Sequence, residues 1–190
     1  MNHPHVHVSS LWWIAFALTL LLPVSGHAQR QFEAATWQRA SGQVGVRLGT
    51  SDLMFGVGLH AGYTFSAGIY AGGLFDYFVG DDEVDVVING LGFAEVNTSY
   101  WMLMAEGGYD FGVAKHLVLR PVVVLGVVEE AVRACSNVGC LKRSDNDAGF
   151  GFGGHVLYFV TSLVSVGGQV RAVLTGPEAV LFGIQVGGVL

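Results

Sequence analysis

The stretch MFGVGLHAGYTF, residues 54–65, changes character at every second residue. Alternate side chains of a β-strand point to opposite faces, so the segment divides into two rows. A period of two over this length predicts a strand with one wholly apolar face and one face that carries little bulk. The apolar row is Phe55, Val57, Leu59, Ala61, Tyr63 and Phe65, and the other is Met54, Gly56, Gly58, His60, Gly62 and Thr64.

The composition favours a chain that contacts something other than water. Of its 190 residues, 52% are hydrophobic and only 13% are charged, against about 25% charged residues in an average soluble domain. The 28 glycines are spread through apolar segments instead of forming a linker. The net charge of −6 and the lack of clustered basic residues argue against a nucleic-acid partner.

The N-terminus resembles a secretory leader. Residues 11–22, LWWIAFALTLLL, form an apolar run that is too short for a typical membrane-spanning helix. Gly26 and Ala28 occupy the −3 and −1 positions of a small-residue cleavage site. Residues 1–28 are therefore predicted to be a signal peptide, followed by a short N-terminal segment, 29–41.

Beyond residue 41, apolar residues recur at every second position, as in strands. Several segments exceed the usual strand length of about 5–6 residues and reach the length of about 9–11 that a bilayer requires. Eight strands are predicted, at residues 42–49, 54–65, 68–79, 98–111, 116–128, 148–160, 163–174 and 179–190.

The connections between these strands alternate in length. Those at 66–68, 114–116 and 161–162 are tight, whereas 80–97 and 129–147 are long, charged and separated by two crossings. Tight turns on one side and longer loops on the other are typical of bacterial outer-membrane barrels. The sequence therefore predicts an all-β fold, an eight-stranded antiparallel up-and-down transmembrane β-barrel over residues 42–190.

Each charged residue inside a predicted strand falls on the row that would face away from lipid. An eight-stranded barrel has room only for side chains, and buried charges persist only in pairs. Three arginines and three carboxylates therefore predict a plugged, charge-paired lumen instead of an open pore. The predicted lumen network is Arg47, His60, Asp76, Glu106, Asp110, Arg120, His155, Gln169, Arg171 and Gln185, with Gln43 as a further member.

Aromatic residues cluster near the strand ends, where membrane barrels carry aromatic girdles. Phe55, Tyr77 and Trp101 lie near the ends that lead to the long loops. The girdle at the tight-turn ends is predicted to contain Tyr63, Phe65, Tyr109, Phe111 and Tyr158.

Three short motifs have structural explanations. Cys135 and Cys140 in CSNVGC are predicted to form a disulfide, since a secreted context favours one and two thiolates alone make a poor zinc site. The acidic stretches 81–85 and 144–147 do not match a calcium loop. GFGFGG, 149–154, continues into a strand instead of the helix that a dinucleotide site requires. No metal site and no cofactor are predicted.

Pro121 interrupts the strand predicted at 116–128. Proline has no N–H to donate, and a closed barrel has no free edge on which that loss is harmless. A β-bulge is therefore expected at Pro121.

On these alternating segments, residues 42–190 resemble the small eight-stranded outer-membrane proteins, the group of the OmpA transmembrane domain and OmpX. The resemblance implies an integral barrel of the bacterial outer membrane, reached after secretion to the periplasm and inserted by the barrel-assembly machinery. It also implies contact with outer-membrane lipid and lipopolysaccharide. A structural or surface-interaction role through the loops 80–97 and 129–147 follows, with no catalysis expected and the extracellular ligand unspecified.

Two other functions remain as alternatives. Some barrels of similar architecture modify lipid A by deacylation or acyl transfer, and His155, Ser165 and Glu106 would be available for such chemistry. No acyl-transfer motif accompanies them, and His155 and Glu106 are assigned to the lumen. A soluble lipocalin-like secreted barrel is the other alternative, but this chain has too little charge to cover a water-facing exterior.

Overall fold

The computed structural model describes residues 39–50, 53, 55–84, 95–136, 139–175 and 178–189. The predicted signal peptide and all but the last three residues of segment 29–41 lie outside these ranges. Within them there is no helix long and apolar enough to span a membrane. The strands are β1 (Arg39–Gly49), β2 (Phe55–Thr64), β3 (Ile69–Val84), β4 (Glu95–Tyr109), β5 (Phe111–Ala114), β6 (Leu117–Ser136), β7 (Gly139–Phe159), β8 (Val164–Val173) and β9 (Ala179–Val189).

These strands form one closed antiparallel sheet. Strands that follow one another in sequence pair, except β4 and β5, which both pair with β6, and β1 pairs with β9 to close the sheet. Strands β4 and β5 are one crossing of the barrel, interrupted at Asp110. The predicted eight-stranded antiparallel barrel is confirmed, and closure leaves its wall without a free edge.

The two faces of the wall reproduce the two rows of the sequence. In β2 the exposed residues are the apolar row, with Leu59 57% exposed, while Gly56, Gly58 and His60 are buried. The outward face is apolar on the other strands too, with Leu125 64% and Ile184 68% exposed. Large apolar side chains on the outside and charged side chains inside are the reverse of a water-soluble barrel.

Glycines on the inward face make room for long polar side chains. A Cβ on Gly58 would collide with the carboxylate of Asp76 and lie 2.9 Å from Nη2 of Arg47. By contrast, a Cβ on the outward-facing Gly42 would meet nothing within 4 Å. Inward glycine is therefore required by packing, whereas glycine at position 42 is not.

The prediction of a loop at 129–147 is wrong. Strands β6 and β7 stay paired up to Ser136 and Gly139, so the segment is a β-hairpin that continues the sheet beyond the barrel. The other predicted loop, 80–97, is also shorter, because β3 runs to Val84 and β4 begins at Glu95, with a register shift between Val79 and Asp82. Both errors have one cause: strands outside an apolar layer need not alternate in hydrophobicity, so their charged residues resemble loop sequence.

The bulge expected at Pro121 is also absent. Pro121 lies opposite Gly154 in an unshifted ladder between β6 and β7. The backbone of Pro121 faces β4 and β5 on the other side of β6. Pairing with that crossing stops at Gly108 and resumes at Phe111 in the same register. The N–H of Asp110, in this gap, donates to the carbonyl of Gly68 at 2.8 Å. The missing donor of proline thus coincides with the break between β4 and β5.

Candidate functional site

The barrel encloses the polar residues identified from the sequence. All of them are at least nine-tenths buried, and they come from all eight crossings. They lie in the middle of the barrel and toward the end with the tight turns, here called the tight-turn end. The buried set is Gln43, Arg47, His60, Asp76, Glu106, Asp110, Arg120, His155, Gln169, Arg171 and Gln185.

Asp76 on β3 lies between two arginines from different strands of the barrel. Nη1 of Arg171 donates to Oδ2 of Asp76 at 2.7 Å. Nε of Arg47 lies 3.3 Å from the other oxygen, Oδ1. All three side chains are almost completely buried, so one carboxylate is shared by two guanidinium groups.

Glu106 on β4 lies between two histidines. Nε2 of His155 is 2.7 Å from Oε1 of Glu106, and Nδ1 of His60 is 3.5 Å from Oε2. The ring centroids of the two histidines are 5.5 Å apart in an edge-on arrangement. Glu106 therefore has an imidazole nitrogen near each of its oxygens, hydrogen-bonded on the His155 side and at ion-pair distance on the His60 side.

Flanking donors indicate which nitrogen of each ring accepts a hydrogen bond. Nη2 of Arg47 lies 2.7 Å from Nε2 of His60, and arginine can only donate, so this nitrogen accepts. A neutral His60 then carries its proton on Nδ1, the atom nearest Glu106. Nε2 of Gln185 lies 3.0 Å from Nδ1 of His155, which leaves Nε2 of that ring to donate to Glu106. Glu106 is thus linked through His60 to the arginine that also contacts Asp76.

His60, Glu106 and His155 are also the described residues whose placement could suit a metal ion. Their ligand atoms all lie within 4.8 Å of one another, and two imidazoles with a carboxylate form a donor set that zinc accepts. However, a ligating Nδ1 of His60 would put an N–H on Nε2, directly against the donating Arg47. A dication would also unbalance a lumen in which three arginines face three carboxylates. The arrangement suits a hydrogen-bonded core better than a metal centre.

A second polar cluster fills the tight-turn end. Nη2 of Arg120 donates to Oδ2 of Asp110 at 2.9 Å, and the hydroxyl of Thr64 donates to the same oxygen at 3.0 Å. The guanidinium carbon of Arg120 lies 3.6 Å from the centre of the Tyr70 ring. Sequence reasoning missed Tyr70, although its shared parity with Asp76 on β3 was a usable signal.

The other end of the lumen is apolar, which the sequence analysis did not foresee. Buried apolar side chains there pack against one another and next to the ion pairs. The signal was available in part, because Met102 and Met104 share the parity of Glu106. The cluster comprises Leu53, Leu74, Phe78, Tyr100, Met102, Met104, Val124, Val128, Val173, Ala179 and Leu181.

The proposed girdle residues lie on the outer surface. Near the tight-turn end, Tyr63 packs edge-on against Phe65, with ring centroids 5.0 Å apart, and Tyr109 packs against Phe111 at 4.6 Å. Tyr158 is exposed on the same side of the barrel wall. The remaining three, Phe55, Tyr77 and Trp101, are exposed or half-buried toward the other end.

The cysteines and the candidate acyl-transfer residues have different placements. Cys135 and Cys140 form the predicted disulfide, with their Cα atoms 4.0 Å apart near the tip of the β6–β7 hairpin. Ser165 is buried in the lumen, as are His155 and Glu106. Among the described residues no hydrogen bond joins Ser165 to His155.

A closed barrel of eight antiparallel crossings, apolar outside and charged within, is the architecture of the small outer-membrane β-barrels. No family model and no curated protein matches the sequence. Solved structures with the same fold include a major outer-membrane protein of Thermus thermophilus, with a TM-score of 0.61 and 13% identity over 80% of this chain and 99% of that one.

Two further solved structures share the fold. Ail, the attachment invasion locus protein of Yersinia pestis, has a TM-score of 0.56 and 13% identity, covering 80% of this chain and 97% of that one. Neisserial surface protein A has a TM-score of 0.51 and 14% identity, covering 80% and 95%. At these identities the likeness establishes the fold alone.

Proposed function

We propose that this protein is an integral barrel of the bacterial outer membrane that serves envelope structure or surface interaction. The observation that carries the proposal is the reversed polarity of the wall. Residues such as Leu59, Leu125 and Ile184 expose more than half of their surface, while the three arginines of the lumen network are buried within. Water would not stabilise such an exterior, whereas hydrocarbon chains would.

The lumen is proposed to be closed to diffusion. Its middle is filled by the ion-paired side chains of Arg47, Asp76 and Arg171. The apolar cluster of the lumen, which includes Phe78 and Met102, fills the space next to them. A barrel of eight strands is just wide enough for such side chains to fill. A structural or interaction role suits this interior better than transport does.

The long strands on one side are proposed to face the exterior. Strands β6 and β7 extend beyond the region that β8 covers, and their exposed charges include Arg133, Lys142 and Asp145. This orientation follows the usual arrangement of outer-membrane barrels, with tight turns on the periplasmic side. Residues 1–28 would then act as the signal peptide, and the barrel-assembly machinery would insert the chain among lipid and lipopolysaccharide.

Cell fractionation combined with surface proteolysis tests the location and the topology together. We expect the protein in the outer-membrane fraction, with trypsin on intact cells cleaving near Lys142 and Arg143 while the barrel stays protected. As a matched control, trypsin added to permeabilised cells should give the same outer cuts and expose any site on the periplasmic side. A folded, monodisperse protein in buffer without detergent would overturn the proposal.

The role is proposed to be non-catalytic. Ser165 and His155 are both buried in the lumen and are not joined to each other. Lipopolysaccharide incubated with the purified barrel should keep its acyl chains by mass spectrometry. A gained or lost acyl chain that depends on His155 would instead favour a lipid A-modifying enzyme.

A further inference from the structure

Among the residues that the structure describes, the outer part of β7 is a sheet edge without a neighbouring strand. Strand β7 pairs with β6 along its whole length, but its pairing with β8 begins only at Gly151, opposite Val173. Residues 140–148 are all exposed, and none of the described strands pairs with their outer edge. We call residues 129–148 the extended hairpin.

The directions of the backbone N–H and C=O groups along this edge follow from those of Phe150. The N–H of Phe150 donates to Oγ1 of Thr175, and its carbonyl accepts from Leu174, so both groups face away from β6. N–H and C=O directions alternate along an antiparallel strand. In the unshifted ladder, the backbone groups of even-numbered residues therefore point outward from the edge. These residues are Cys140, Lys142, Ser144, Asn146 and Ala148.

Charges within the extended hairpin are segregated by sign. Arg133 lies opposite Lys142 toward the tip, and Glu130 lies opposite Asp145 toward the barrel. Like charges directly across a sheet are destabilising. The hairpin is thus a basic tip on an acidic base, which a partner with the reverse arrangement would neutralise.

We propose that the partner is the same edge of a second copy of this chain, paired antiparallel about a two-fold axis at Ser144. Antiparallel pairing places each basic tip against the acidic base of the other copy. Such an interface is isologous, since the same surface is used twice. Addition of a strand to an exposed edge is a common mode of recognition.

Parity and charge together select one register. Outward-facing backbone groups must meet, so even-numbered residues lie opposite even-numbered residues. Centring on Ser144 puts Arg143 opposite Asp145 of the other copy, twice. Centring on Asp145 would oppose two aspartates, and centring on Arg143 would oppose two arginines. Of these three registers, only the first avoids a like-charge pair at its centre.

The direction of pairing also determines how the barrels are arranged. Strand β7 runs from the tip toward the barrel, so antiparallel edges place the two barrels at opposite ends of the paired segment. The nine residues 140–148 span about 30 Å at about 3.4 Å per residue. This inference rests on the proposed outer-membrane location, and the two copies then belong to two facing membranes.

Clustering of liposomes that contain the purified full-length protein tests the pairing. Liposomes carrying two different dyes should cluster with the wild-type protein. The single variants R143D and D145R each create two like-charge pairs and should lower the clustering rate by about tenfold. Mixing R143D liposomes with D145R liposomes should restore clustering, because each introduced charge then meets an opposite one. K115D is the matched control, because it makes the same charge change at an exposed residue of the tight turn between β5 and β6, away from the pairing edge, and should cluster like the wild type.

Each outcome supports or overturns either the self-pairing or its register. Wild-type liposomes that stay dispersed, or single variants that cluster as well as the wild type, would overturn the self-pairing. Failure of the mixed variants to recover would overturn the register. Trypsin cleavage of the extended hairpin on the same liposomes shows that it faces outward. Surface exposure on cells without clustering would therefore defeat this inference alone and leave the membrane location intact.

Discussion

Nη2 of Arg47 on β1 lies 2.7 Å from Nε2 of His60 on β2, deep inside the barrel. Because the guanidinium also contacts Asp76 and the imidazole also approaches Glu106, this bond joins two carboxylate clusters into one network. Neither residue could be replaced without leaving a buried polar atom unpaired. The middle of the lumen should therefore respond as a unit to substitution.

Replacement of Arg47 by methionine should strongly destabilise the barrel. His60 would lose its donor, and Asp76 would keep Arg171 as its one guanidinium partner, with the His60 ring 3.9 Å away. Breaking a buried ion pair by removing one member costs about 3–5 kcal/mol. The free energy of unfolding can be measured by urea titration in lipid vesicles, followed by the mobility shift between folded and unfolded protein on gels.

The matched control is Arg143→Met. Arg143 pairs with Asp145 at 2.9 Å, but both side chains are mostly exposed. Such surface pairs contribute about 0–1 kcal/mol, so the midpoint should barely change. Equal effects of the two substitutions would contradict a buried, charge-paired lumen.

The inward glycines give a second prediction. Gly58→Ala would drive a methyl group into Asp76 and Arg47, whereas Gly42→Ala would place it in open space on the outer face. Overpacking of this kind costs about 1–3 kcal/mol, and a substitution without new contacts changes stability by less than about 0.5 kcal/mol. The same urea titration compares the two variants. A larger loss for Gly42→Ala would mean that the assignment of faces is reversed.

Alternation of side chains was enough to predict the barrel and to place Arg47, His60 and Glu106 in its interior. The period of two is imposed by the boundary between hydrocarbon and lumen, so it is visible in the sequence wherever a strand crosses that boundary. The specific partners were not predictable. The Arg47–His60 bond depends on the register that sets Gln43 opposite His60, which the sequence pattern of one strand does not encode.

In the extended hairpin, by contrast, the sequence pattern did not predict the strands. Residues 129–147 form strands without alternating hydrophobicity, because both faces of this sheet lie outside the hydrocarbon layer that surrounds the barrel.

Pro121 illustrates a further limit of prediction from the sequence. Its missing N–H suggested a bulge, but the neighbouring crossing is interrupted at Asp110 in the same place, and that coincidence involves two distant segments.

A charge on the outer face tests the lipid environment directly. Leu59→Arg should destabilise the barrel by about 2–4 kcal/mol in vesicles, the cost of an arginine near the bilayer midplane. The same change at Leu141, which is 81% exposed on the extended hairpin, should cost less than about 0.5 kcal/mol. Urea titration of both variants in vesicles provides the comparison. A neutral result at Leu59 would favour a water-facing exterior and a soluble barrel.

Removal of the disulfide should affect the hairpin tip and spare the barrel. The double variant C135S/C140S loses a cross-link that closes a short loop, for which the chain-entropy model gives about 2 kcal/mol. That loss is confined to the end of the extended hairpin, because the apolar cluster of the lumen separates the hairpin from the buried polar clusters. Trypsin should then cut faster after Arg133 and Lys142, while the urea midpoint of the barrel stays unchanged. The double variant keeps every Lys and Arg of the hairpin, so the wild-type protein with its disulfide intact is the control for cleavage. A barrel that unfolds earlier without the disulfide would show that the tip and the wall fold as one cooperative unit.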